Sequence, residues 1–137
     1  MENALRKLDN LGFPKDDFIV FGSGPLLIRD IRTNFKDLDI IARGKAWDIA
    51  VANGDVKVAP MGDKTVSLYD GIIEVYDGLQ PGEWDINELI DEADIIEGVR
   101  YLPLEKFIIW KSKRIEAYPK CAEKDQRDVK LAREYLD

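Results

Sequence analysis

The chain has 137 residues, with 20 Lys and Arg against 27 Asp and Glu for a net charge of −7, no histidine, and Cys121 as its single cysteine. These counts exclude Ser-His-Asp and Cys-His catalysis, histidine-ligated metals and an intramolecular disulfide, and they fit a reducing, cytoplasmic setting in which carboxylates and lysines do the chemistry. The length predicts one domain over 1–137, the acidic balance argues against a large nucleic-acid footprint, and neither a membrane span nor a signal peptide at Met1-Glu2-Asn3-Ala4 is expected.

In chain order, Leu5, Leu8 and Leu11 fall at helical spacing over Ala4 to Leu11, with Gly12 as the stop. Phe18 to Phe21 reads as a buried strand, Pro25 to Ile31 as a short helix, and Leu38 to Ala42 as a second strand. Lys45 to Ala52 predicts a helix closed by Asn53-Gly54, and Val56 to Ala59 another strand. Thr65 to Tyr69 and Ile72 to Tyr76 flank Asp70-Gly71, a dipeptide suited to a two-residue hairpin loop. Glu83 to Ile95 is expected to be helical and Val99 to Leu102 extended. Helices over Leu104 to Tyr118 and from Pro119 onward complete an α+β pattern, a small mixed sheet followed by helices. Trp47, Trp84 and Trp110 read as packing residues.

Asp37-Leu38-Asp39 places two carboxylates at i and i+2, on one face of a strand and roughly 6.5–7 Å apart. Their mutual repulsion within an otherwise apolar run would be relieved by a divalent cation. Upstream, Phe18-Ile19-Val20-Phe21 runs into the small-residue turn Gly22-Ser23-Gly24, where backbone N–H groups can meet a phosphate. Glu74 interrupts Ile72-Ile73-Glu74-Val75-Tyr76 and reads either as a third carboxylate facing the pair or as a solvent-facing strand residue. Lys106, Lys111, Lys113, Arg114, Lys120, Lys124, Arg127 and Lys130 concentrate positive charge late in the chain. Lys124, Asp125 and Asp128 read as a surface ion-pair cluster or a helix cap.

Gly22-Ser23, Ile31-Arg32-Thr33 and Asp37-Leu38-Asp39 together resemble the glycine-serine and Asp-x-Asp signature of the nucleotidyltransferase superfamily. Leu104 to Lys111 and Lys124-Asp125-Gln126-Arg127-Asp128-Val129 are similar to the C-terminal half of its minimal members, which include proteins related to abortive-infection toxins. The resemblance implies a nucleotidyltransferase-like mixed sheet flanked by helices, and Mg²⁺ or Mn²⁺ held by Asp37, Asp39 and Glu74 as the catalytic triad. It further implies triphosphate contacts from Gly22, Ser23 and Lys111, the last as a mobile point charge. The implied reaction moves a nucleoside monophosphate from a nucleoside triphosphate to a hydroxyl or phosphate acceptor, RNA and protein included. The alternatives are a non-catalytic nucleotide binder, or a toxin-like component held by an antitoxin-like partner.

Overall fold

Two apolar runs form strands with the boundaries their sequence predicts, β1 (Phe18–Phe21) and β2 (Leu38–Ala42), and they pair antiparallel at the centre of a sheet. The computed structural model that shows this describes residues 1–137, with every side chain except that of Cys121. Around the central pair lie β3 (Val56–Val58), β4 (Lys64–Leu68), β5 (Ile73–Tyr76), β6 (Asp94–Ile96) and β7 (Val99–Tyr101). They make a seven-stranded mixed sheet in the order β3-β4-β5-β2-β1-β7-β6. β2 runs parallel to β5 and β1 parallel to β7, and the remaining pairs are antiparallel.

Helices cover both faces. Side chains alternate along each strand, so Leu38, Ile40, Ile73 and Val75 point to one face and Asp39, Ile41, Glu74 and Tyr76 to the other. The first face packs on α1 (Glu2–Leu11), through Ala4 and Leu8, and on α3 (Gly44–Asn53), through Ala46 and Ala50. Between them in sequence, α2 (Gly24–Leu27) is a single turn directly after β1. The second face packs on α4 (Ile86–Asp91), α5 (Leu104–Ala117) and α6 (Ala122–Leu136), through Leu89, Ile90, Phe107, Trp110 and Ala132. Each fully buried aliphatic or aromatic side chain here contributes roughly 1.5–3 kcal/mol. No helix is long and apolar enough to cross a membrane.

Three expected elements change. The helix expected over Pro25 to Ile31 ends after one turn, at Leu27. Glu83 to Ile95 is not one helix: Asp85 caps α4 by accepting a bond from the Glu88 N–H at 3.1 Å, and the chain leaves the helix to form β6. The signal for this hairpin is Glu97-Gly98, both at positive φ (52° and 80°), which joins Ile96 to Val99. Asp70-Gly71, by contrast, sits inside a four-residue loop between Leu68 and Ile73, in which Tyr69, Asp70 and Gly71 all have positive φ.

Candidate active site

Asp39 stands on β2 between Phe21 of β1 and Glu74 of β5, its register partners on either side. Asp37 lies just before the strand, and Glu74 shares the face of Asp39 on the neighbouring parallel strand. The sheet therefore brings together the three predicted carboxylates. Burial pushes the Asp39 carboxyl up to about 7, and the charges of Asp37 and Glu74 push it the same way, while Lys111 and Arg114 oppose the shift. Burial followed by the fields of Asp39, Glu74 and Asp37 also raises the Tyr76 hydroxyl. Glu74 is not idle: its Oε1 accepts a hydrogen bond from the Ser67 hydroxyl at 2.7 Å.

The glycine-serine turn touches this group directly. Gly22 adopts φ 65°, and a Cβ added there would collide with the Asp39 carboxylate. Glycine thus answers two demands at one position, a left-handed backbone and a close approach to a charged side chain. Ser23 precedes α2 without forming a side-chain cap. Its flanks open into a recess of about 130 Å³ whose wall includes Gly22, Ser23, Asp37, Asp39 and the cations Arg32, Lys36, Lys111, Arg114 and Lys124.

Lys111 reaches this recess but is not mobile. Its Nζ lies 2.8 Å from Asp125 and 3.2 Å from Asp128, and the residue is only 6% exposed. Arg114 adds a bond to Asp125 at 3.1 Å and Arg32 one to Asp128 at 3.3 Å. Asp125 and Asp128 are thus buried charges locking α5 to α6, not members of a surface cluster. Trp110, on the same helix, is core, with its Nε1–H donated to the Gln80 carbonyl at 2.8 Å.

On the other side of Asp39 a second recess opens, about 340 Å³, walled by Phe21, Tyr76, Trp110, Tyr118, Met61 and Asp63 among others. Phe21 meets Tyr76 and Trp110 edge to face, with ring centroids 5.2 and 5.4 Å apart. Arg114 stacks over Trp110 and Tyr118 and borders both recesses. Lys36 and Asp63 had no role in the sequence reading, while Arg32 entered it only within the Ile31-Arg32-Thr33 motif and Arg114 only within the basic late segment. Arg32 and Lys36 precede Asp37 by five residues and by one, in the irregular segment before β2, and Arg114 follows Lys111 by three residues, a helical spacing that carried a signal for it.

Among the described residues no three Asp, Glu or Cys side chains are arranged to enclose a metal ion. Two carboxylates completed by substrate phosphates still suit Mg²⁺, which is commonly bound in that way and not by an all-protein cage. The burial of Asp39 beside the like charge of Asp37 is consistent with such an ion. Comparison of the chain with protein-family models, curated proteins and solved structures finds no match.

Proposed function

We propose that the chain binds a metal-complexed nucleoside triphosphate and transfers its nucleoside monophosphate to a hydroxyl or phosphate acceptor, in the manner of the nucleotidyltransferases its motifs resemble. One observation carries the reading: Asp39 is a common wall of a small cationic recess and a larger aromatic one. A polyanion joined to a flat, mostly apolar ring system matches that pair of surfaces. The junction of the two falls where a carboxylate pair would meet the phosphates.

In this reading Asp37 and Asp39 would hold the cation that accompanies the triphosphate. When bound, the metal supplies charge stabilisation at the reacting phosphorus and on the leaving oxygen. The chain does the rest. Ser23 donates its hydroxyl to a phosphate oxygen, and Arg32, Lys36 and Lys124 neutralise the departing pyrophosphate. Lys111, fixed by Asp125 and Asp128, contributes to the field of the recess and shapes its wall. The Ser67 hydroxyl orients Glu74 through Oε1, leaving the second oxygen to take the acceptor's proton. The acceptor oxygen bonds to the α-phosphorus, the bond to the α,β-bridging oxygen breaks, and pyrophosphate leaves with that electron pair.

A second reading, binding without transfer, draws on Glu74 and its engagement with Ser67 in place of a closed three-carboxylate cluster. Incubation with an α-labelled triphosphate, Mg²⁺ or Mn²⁺ and RNA or protein acceptors separates the two. Transfer predicts labelled acceptor, and Glu74→Gln lowers the rate by at least ~10²-fold while binding persists. Binding with no labelled product favours the second reading, and absence of metal-dependent binding removes both.

A further inference from the structure

The aromatic recess has one feature that its stacking walls do not explain. Asp63 contributes a carboxylate to an otherwise mainly apolar lining. It closes the loop between β3 and β4, where its carbonyl accepts the Ala59 N–H at 2.7 Å and the Gly62 N–H bonds back to Ala59 at 2.9 Å. Gly78 makes room for the carboxylate, since a Cβ there would lie 2.8 Å from its Oδ1. Among the described residues its side-chain partner is Gln80, at a long 3.5 Å from Oδ1. A half-buried carboxylate with spare acceptor capacity, beside flat aromatic walls, is matched by a planar ligand that presents donors along one edge.

Nucleobases differ in that respect. Guanine alone presents two adjacent donors, N1–H and the 2-amino group, which a carboxylate accepts in parallel. Adenine sets the lone pair of N1 beside its amino group, cytosine sets the lone pair of N3 beside its own, and uracil flanks its single N–H with two carbonyls. Each would place an acceptor against the carboxylate. We propose that Asp63 selects guanine, so that the triphosphate taken by this site is a guanine nucleotide. The inference rests on the nucleotide reading above and adds the base to it.

The test is the affinity of the intact protein for GTP, ATP, CTP, UTP, ITP and XTP, each with Mg²⁺. The inference predicts GTP tightest by at least ~10-fold over ATP, CTP and UTP, and ITP, which lacks the 2-amino group, weaker than GTP. Asp63→Asn keeps the shape but offers one acceptor and one donor, which match N1–H and the 2-carbonyl of xanthine. The variant should therefore lose its GTP preference and gain in XTP affinity, a change that simple structural damage does not produce. Metal-dependent binding of ATP, CTP, UTP and GTP with equal affinity would overturn the base selection and leave the nucleotide reading standing. Failure of every triphosphate to bind would overturn both.

Discussion

Two groups of charges border one recess, and they are balanced differently. In the first, Lys111, Arg114 and Arg32 hold the buried Asp125 and Asp128 at 2.8–3.3 Å, so these negative charges have close positive partners. In the second, Asp39 and Glu74 share a sheet face with Asp37 just before the strand, and burial with mutual repulsion pushes the Asp39 carboxyl up to about 7. Both arrangements cost desolvation, but only the first repays it within the chain. Compensated charge holds α5 to α6. Uncompensated charge is what a ligand would complete.

The largest effect that would break this comparison is removal of the compensating lysine. Lys111→Met should leave two buried carboxylates short of a partner and destabilise the fold by roughly 3–5 kcal/mol in urea unfolding. Adding Asp125→Asn and Asp128→Asn to that variant should recover much of the loss. A cost under about 1 kcal/mol would place Lys111 among the weak surface pairs instead.

Asp39→Asn should act in the opposite direction. The folded-state carboxyl, at about 7, lies above its ordinary 3.8, so between those values the native state binds a proton that the unfolded state does not. Stability of the ligand-free wild type therefore falls as pH rises through that window, and the penalty is complete above it. The asparagine variant should be more stable than wild type by on the order of 2 kcal/mol at pH 8, with the gain vanishing near pH 4. Paired unfolding curves across pH measure this, and a gain that grows as pH falls would contradict it.

Gly22→Ala sharpens the same contrast at smaller scale. A left-handed alanine costs roughly 1–2 kcal/mol, and its Cβ also meets the Asp39 carboxylate. Part of the cost should disappear in an Asp39→Ala background, as a double-mutant cycle would read. Strict additivity would show that the glycine serves the turn alone.

The sequence was informative where local pattern and tertiary demand agree. The continuous apolar runs at Phe18–Phe21 and Leu38–Ala42 became the central strands because a strand buried on both faces needs no alternation. Asp37, Asp39 and the Gly22 turn were legible since charge inside such a run, and glycine at its end, are locally anomalous. The pairing that fixes Lys111 was not, because its partners lie 14 and 17 positions later on another helix, and helical spacing says nothing about which helix packs opposite. Asp94 to Ile96 escaped notice for a related reason. Three residues carry too little periodicity, and the Glu97-Gly98 turn that defines the hairpin depends on a positive φ at glutamate. The aromatic recess is assembled from residues as distant as Phe21 and Tyr118, so only the fold could bring Asp63 to it.

The central claim is that the Asp37 and Asp39 wall of the recess is completed by a metal-bound triphosphate. Its most direct measurement is thermal unfolding of the wild type and the Asp37→Asn, Asp39→Asn double variant with Mg²⁺, nucleoside triphosphate, or both. Linkage predicts that metal and nucleotide together stabilise the wild type more than either alone, by about 2.7 kcal/mol at a hundredfold excess over Kd. The double variant, although more stable without ligand, should show no such gain. Equal stabilisation of the two proteins by metal and nucleotide would contradict the account.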